Sequence, residues 1–251
     1  MRLEDGRTAI VKQLKVFDGV WDELRGAFYL DWRDGEGAVR LLARDGDRML
    51  LEHADGEPLS HALTTQGDDA ATEIAAGVLE QLLHPSSRPY PPEFQPLRQR
   101  FQALFHKAGA DRSHGRMTPY VEAAQMTQRL LAESRTAVPL HGDLHHDNIL
   151  NSTRGWLAID PKGVLGDPGF DAANLFYNPL DRTALCLDPQ RIASMAETLA
   201  RPVGEAPGRV LDWAFCYGCL SAAWHAEDDK EADEARELAI AQAIHAVRIS
   251  F

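Results

Sequence analysis

His141-Gly142-Asp143-Leu144-His145-His146-Asp147-Asn148 runs directly into Ile149-Leu150-Asn151, Ser152-Thr153-Arg154-Gly155 and Trp156-Leu157-Ala158-Ile159-Asp160. The two apolar runs read as short strands and the tetrapeptide between them as a turn, which makes a β-hairpin. Pairing Asn148 with Asp160 centres that hairpin on Arg154, inside the turn, so the amide and the carboxylate are expected to face each other. Cross-strand neighbours lie roughly 5 Å apart at Cβ, close enough for two oxygen donors to share one hard cation.

Read as H-x-D-x-x-x-x-N with a second Asp after the hairpin, the stretch has the spacing of a phosphoryl-transfer catalytic loop, with Gly142 where protein kinases carry Arg. In that reading Asp143, ahead of the first strand, accepts the proton of an attacking hydroxyl. Asn148 and Asp160 are then the ligands of Mg²⁺, which takes oxygen donors and keeps part of its water. A lone His-Gly-Asp is ordinary turn chemistry. Here it is joined by the hairpin and by a G-D-P-x-x-D at Gly166 to Asp171. His141 is expected to brace the loop through hydrogen bonds. With His145 and His146 it forms an H-x-x-x-H-H, but in a turn, without the helix that a zincin requires.

The rest of the chain is compatible with a compact enzyme. Its 251 residues are 44% apolar and 25% charged, enough for one large domain or two unequal lobes. No run approaches the length of a membrane span, and Met1 to Arg7 lacks the apolar core of a signal peptide, so a cytoplasmic protein is expected. The net charge of −12 disfavours a nucleic-acid backbone as partner and suits a small cationic substrate. Cys216 and Cys219 form a C-x-x-C, but within Val210 to Trp224 the apolar residues recur at helical spacing, so buried core thiols are expected.

Thr8 to Leu14 reads as a strand, Asp18 as the cap of a helix carrying Trp21, Leu24, Phe28 and Trp32, and Ala38 to Leu42 with Met49 to His53 as a hairpin. After Ala54 to Pro58 the pattern turns helical. Helices are predicted near 70–83, 95–108, 119–134, 189–200, 208–226 and 230–248. The resulting class is α+β: a partial nucleotide-binding lobe over 1–57 and a larger, mainly helical catalytic and substrate lobe over 58–251.

If nucleotide binds at the small lobe, a strand lysine should reach its phosphates, steadied by a helix acid. Lys12 is the candidate, with Lys15 as the alternative, and Glu23 the partner, with Asp22 as its competitor. The backbone of Glu52, His53 and Ala54 is placed to hydrogen-bond an adenine edge.

AIVKQLK (9–15), DELRGAFYLDWRDGEGAVRLL (22–42), MLLEHADGEPLS (49–60), LHGDLHHDNIL (140–150), GWLAIDPKGVLGDPGFDAANLFYNP (155–179) and YGCLSAAWHA (217–226) together resemble the aminoglycoside and hydroxyurea antibiotic-resistance kinases, in particular their streptomycin 6-phosphotransferase branch. The resemblance covers essentially the whole chain. It implies a protein-kinase-like two-lobed fold and transfer of the γ-phosphoryl of ATP, with Mg²⁺, to a hydroxyl of an aminoglycoside. It implies Asp143 as base, Asn148 and Asp160 as metal ligands, Lys12 as the phosphate-binding lysine and Asp171 as an acid that orders the loop.

Two departures accompany it. Family members carry roughly thirty further residues, the length of a few strands, before the segment matching Asp5 to Thr8. Either the start codon is misassigned, or the small lobe is short, with nucleotide positioning affected more than chemistry. Asp160-Pro161-Lys162-Gly163 also replaces a D-F-G, leaving no Phe to toggle, and Lys162 reads as exposed, with contact to a phosphate as the alternative. Streptomycin carries two guanidinium groups, which suit aromatic faces and carboxylates, and the segment with Trp224, Glu227, Asp228 and Asp229 offers both. A kinase for another small hydroxylated molecule, or a nucleotide-deficient binding protein, are the alternatives.

Overall fold

A computed structural model describes residues 1–4, 6, 8–14, 22–134 and 137–250. Lys15, Asp18 and Trp21, and the side chain of Asp22, lie outside the described residues. The chain divides into two compact units, one of residues 1–95 with 139–165 and one of residues 96–138 with 166–251.

The first unit opens with the expected order strand, helix, strand, strand. β1 (Ala9–Gln13), α1 (Asp22–Arg33), β2 (Leu41–Asp45) and β3 (Arg48–Glu52) form a small antiparallel sheet in the order β1-β3-β2 beside one helix. Lys12 pairs with Met49 and Ala9 with Glu52. α1 buries Ala27, Tyr29, Leu30 and Trp32, an apolar stripe at helical spacing, and Tyr29 and Trp32 pack on Phe94. Arg33 is buried as well, and its guanidinium donates to the carbonyls of Glu36, Gln81 and His84. Two of those acceptors terminate α3 (Asp68–Leu83), whose last carbonyls lack helical partners. α2 (Leu59–Gln66) is an addition to the predicted elements. It is two turns long, too short for its buried Leu59, Ala62 and Leu63 to show a period.

The hairpin that follows His141–Asn148 belongs to this same unit. Ile149–Leu150 pairs antiparallel with Leu157–Ala158. The register differs by one residue from the one read off the sequence: Ile149 faces Ala158, and Ile159 N–H donates to Asn148 O at 2.9 Å. Asn148 therefore stands opposite Ile159, not Asp160. The turn is the reason. Gly155 N–H reaches Ser152 O at 3.0 Å, and the Ser152 hydroxyl accepts from Arg154 N–H while donating to Gly155 O. That is a four-residue β-turn centred between Thr153 and Arg154. A one-residue slip along a continuing strand would send a side chain to the other face. Here the strand ends at Ala158, and Asp160 adopts φ 58°, a left-handed backbone that re-aims its side chain.

Pro58 bridges Leu150, Ala38 bridges Ala158, and Gly56 N–H donates to Asn151 O. These contacts sew the hairpin to the small sheet's unit, which is why the compact units do not follow the 57/58 lobe boundary.

The second unit is built of helices, the longest being Gln102–Ser113, Pro119–Glu133, Pro189–Val203, Pro207–Glu227 and Glu231–Arg248. Every residue from Val210 to Leu220 is buried. Phe101, Phe170, Trp213 and Tyr217 interlock there at ring separations of 5.6 to 6.5 Å. Cys216 and Cys219 are free, buried thiols whose Sγ atoms face Ala123 O and Pro119 O, the core position expected of them. Among the described residues no helix is long and apolar enough to cross a membrane.

Candidate active site

The His141–Asn148 loop is held by three of its own side chains, His141, His145 and Asn148, and by Ser60 of α2. His141 is fully buried; its Nδ1 accepts the Asp143 N–H at 3.2 Å, so Nε2 carries the proton and donates to Ile159 O at 2.8 Å. Burial drives its pKa down to about 4, against the opposing charge of Asp143, so the ring is neutral at pH 7. Asn148 Nδ2 donates to Asp143 O at 2.9 Å, and the Ser60 hydroxyl to Asp147 Oδ1 at 2.6 Å. His145 Nδ1 caps the Asp147 N–H, and its pKa is lowered by burial. Gly142 sits at φ 81°, and a Cβ there would stand 2.6 Å from Val164 Cγ2. Glycine fits where the Arg of the protein-kinase motif would not.

In the same unit Lys12 Nζ lies 2.8 Å from Asp160 Oδ1 and 3.7 Å from Glu23 Oε1. The structure thus brings together the lysine, the helix acid and the second carboxylate singled out from the sequence. Burial raises the Asp160 pKa, but the hydrogen bond and charge of Lys12 outweigh it, and the carboxyl lies below its ordinary range. These three residues line a cavity of about 630 Å³ with Ile10, Val39 and Leu51 on its apolar side and Glu52, His53 and Ala54 along its margin. That volume suits a nucleotide-sized ligand.

Glu52 is committed elsewhere. Its N–H goes to Arg40 O at 2.9 Å, and its carboxylate binds the Arg154 guanidinium at 2.6 and 2.7 Å. Arg154 and the Arg40 N–H overcome the effect of burial and hold the carboxyl low. The Glu52 N–H is therefore not offered to an adenine edge; His53 and Ala54, beyond the end of β3, lie outside the sheet ladder.

Two residues escaped the sequence reading. Lys162, read there as exposed, has Nζ 3.1 Å from Asp143 Oδ2. Arg154, read as turn filler, also donates to Gly35 O and Ala38 O, bolting the hairpin to the segment before β2. The signal for Lys162 was its place between a proline and a glycine directly after Asp160.

A family model of aminoglycoside/hydroxyurea antibiotic resistance kinases matches residues 1–229. The chain belongs to this family. It is 39% identical over 213 residues to a streptomycin 3''-kinase of Klebsiella pneumoniae, covering 82% of this chain and 77% of the relative. Identity to the streptomycin 6-kinase of Streptomyces griseus is 31%, over 84% and 69% of the two chains. Identity to a hydroxyurea phosphotransferase of Kitasatospora aureofaciens is 30%, over 84% and 61%. The fold is shared with Plasmodium vivax ethanolamine kinase, at TM-score 0.67 and 13% identity over 96% of this chain and 76% of that one. It is also shared with the aminoglycoside phosphotransferase APH(4)-Ia bound to ADP and hygromycin B, at TM-score 0.61 and 15% identity over 98% and 93%. The chain is therefore a kinase of protein-kinase-like fold in the aminoglycoside/hydroxyurea family.

The remaining residues singled out from the sequence lie in the second unit. Asp171 is buried in the first turn of the short helix Gly169–Ala173. Trp224 carries the Arg100 guanidinium 4.9 Å from its ring centre. Glu227, Asp228 and Asp229 are exposed where the Pro207–Glu227 helix ends, with Asp228 paired to Lys230 at 3.0 Å.

Proposed function

We propose that this kinase transfers the γ-phosphoryl of ATP, with Mg²⁺, to a hydroxyl of streptomycin. The observation that carries the reading is the Glu23–Lys12–Asp160 cluster lining one cavity in the unit that also holds the His141–Asn148 loop. Lys12 steadies the α and β phosphates, with Glu23 fixing its direction. Asp143 orients the acceptor hydroxyl and takes its proton late, as the loose transition state of phosphoryl transfer demands. The donor set suits Mg²⁺. The Asn148 amide nitrogen is spent on Asp143 O, which leaves its oxygen as the donor, and Asp160 keeps an ionised, partly exposed carboxylate. Two hard oxygens with water in the remaining positions is a common way to hold this ion. When bound, it neutralises the charge between the β and γ phosphates.

The acidic turn at Glu227, Asp228 and Asp229, with Trp224, is our candidate for recognition of the guanidinium groups, and Asp171 for ordering the catalytic loop. The acceptor position has two readings. The motif resemblance favours the 6-hydroxyl, and the 39% identity to a streptomycin 3''-kinase favours the 3''-hydroxyl. Coupled ADP release with an aminoglycoside panel and hydroxyurea, followed by ³¹P and ¹H NMR of the product, decides both substrate and position. Asp143→Ala is the control, expected to lower kcat by about 10²- to 10⁴-fold. Turnover that survives it refutes the assigned base, and failure of every panel compound refutes the substrate class.

A further inference from the structure

Lys162 is locked at its backbone before its side chain is considered. Pro161 precedes it and Gly163, at φ 61°, follows, with Arg25 O 2.7 Å from where a Cβ on that glycine would stand. The Lys162 N–H donates to His141 O at 2.7 Å. The side chain is three-quarters covered. Its Cβ lies 3.3 Å from where a side chain at Gly142 would begin. Nζ ends 3.1 Å from Asp143 Oδ2 and 3.3 Å from Asp160 O.

The D-P-K-G turn and the H-G-D loop therefore interlock at two points, and a third contact braces the loop from within. His141 Nδ1 holds the Asp143 main chain, His141 O holds the Lys162 main chain, and the Lys162 ammonium holds the Asp143 side chain. Where an H-R-D loop carries its own cation next to the aspartate, this loop has glycine, and the cation beside Asp143 arrives from the following turn. The neighbouring His141 ring is neutral and supplies no charge.

We propose that Lys162 is a positioning residue that fixes the carboxylate of Asp143 for proton acceptance by a direct ion pair. This rests on Asp143 being the base in the function proposed above. A carboxylate about a quarter exposed samples several rotamers when unheld, and a misplacement of about 1 Å at a reacting group costs on the order of a hundredfold in rate.

The test is a double-mutant cycle with ATP and streptomycin as substrates. Lys162→Met is expected to lower kcat about a hundredfold while the KM of each substrate moves less than about threefold, and Lys162→Arg to restore most of the loss. In an Asp143→Asn background, Lys162→Met should cost less than about threefold more, since the lysine acts through the aspartate. Losses that multiply in the double variant overturn the inference, as does a loss carried by KM. If Lys162→Met does not fold, Lys162→Gln takes its place. If the wild-type chain turns over no aminoglycoside, the substrate reading has failed, and thermal midpoints of the same four proteins decide the ion pair. Non-additive shifts uphold it and additive shifts overturn it.

Discussion

The two units of this chain are held together by different forces. Around the His141–Asn148 loop of the first unit, the pieces are pinned by polar contacts. Lys12 holds Asp160, Lys162 holds Asp143, His141 bonds the Asp143 N–H and the Ile159 carbonyl, and Arg154 bolts the hairpin through Glu52 and two carbonyls. In the second unit, the interior is a stack of rings and thiols around the Pro207–Glu227 helix. The first arrangement fixes direction, which charged and hydrogen-bonding groups do well. The second supplies burial, which is non-directional and proportional to area. Substitutions should separate the two: loss of stability from the ring core, loss of rate or nucleotide affinity from the polar site.

The largest effect is expected at Trp213, fully buried against Phe101 and Phe170. Trp213→Ala should cost about 3–5 kcal/mol in urea denaturation. A loss under about 1 kcal/mol would mean that the core collapses around the gap and that burial is not what holds this unit. Next comes Lys12→Met, which leaves Asp160 and Glu23 without their shared cation. The KM for ATP should rise about tenfold, or about 1.4 kcal/mol, with a much smaller change in denaturation midpoint. An unchanged KM would remove Lys12 from nucleotide binding.

A third test uses one buried titratable group from each unit. His141 has its pKa driven down to about 4 by burial. The unfolded state therefore binds the extra proton first, and this group's contribution falls as pH drops from about 6.5 toward 4. Burial pushes the Glu237 carboxyl up to about 7 despite its 2.6 Å contact with Arg236. Here the native state binds the extra proton, so the contribution is full below about pH 4.5 and is lost as pH rises through 7. Amide exchange followed by mass spectrometry should show the first unit opening toward acid, and Glu237→Gln should flatten the loss toward neutral pH. An identical pH profile in that variant would refute the assignment. The smallest effect is expected from neutralising Glu227, Asp228 and Asp229 together. Exposed charges contribute little singly, so the streptomycin KM should rise about threefold with the ATP KM unchanged. No change would exclude this turn from acceptor recognition.

Much of the architecture was readable from the chain. The helices at Pro189–Val203, Pro207–Glu227 and Glu231–Arg248 were predicted within a few residues, because their apolar positions keep a helical period. Lys12, Glu23 and Asp160 were chosen from three distant segments and meet in space. What escaped depends on backbone detail that composition does not carry. The hairpin register turned on whether the loop holds two central residues or one, and Ser152 decides that through hydrogen bonds invisible as pattern. Lys162 and Arg154 were missed for one reason: a long basic side chain in a turn is usually solvated, and only the folded backbone shows that these two point inward.

The two thiols of the helical core, Cys216 and Cys219, and the third buried thiol, Cys186, have a practical consequence. All are buried, Cys216 is pushed up to about 12 by burial, and burial also raises Cys219 well above its ordinary value. Reagents that attack thiolate find almost none here at neutral pH. The native chain is in effect silent to maleimides while folded, so one cysteine introduced at an exposed position would be the only handle to react. Spectroscopic labels could then be placed on this kinase one at a time without first stripping its own sulfur.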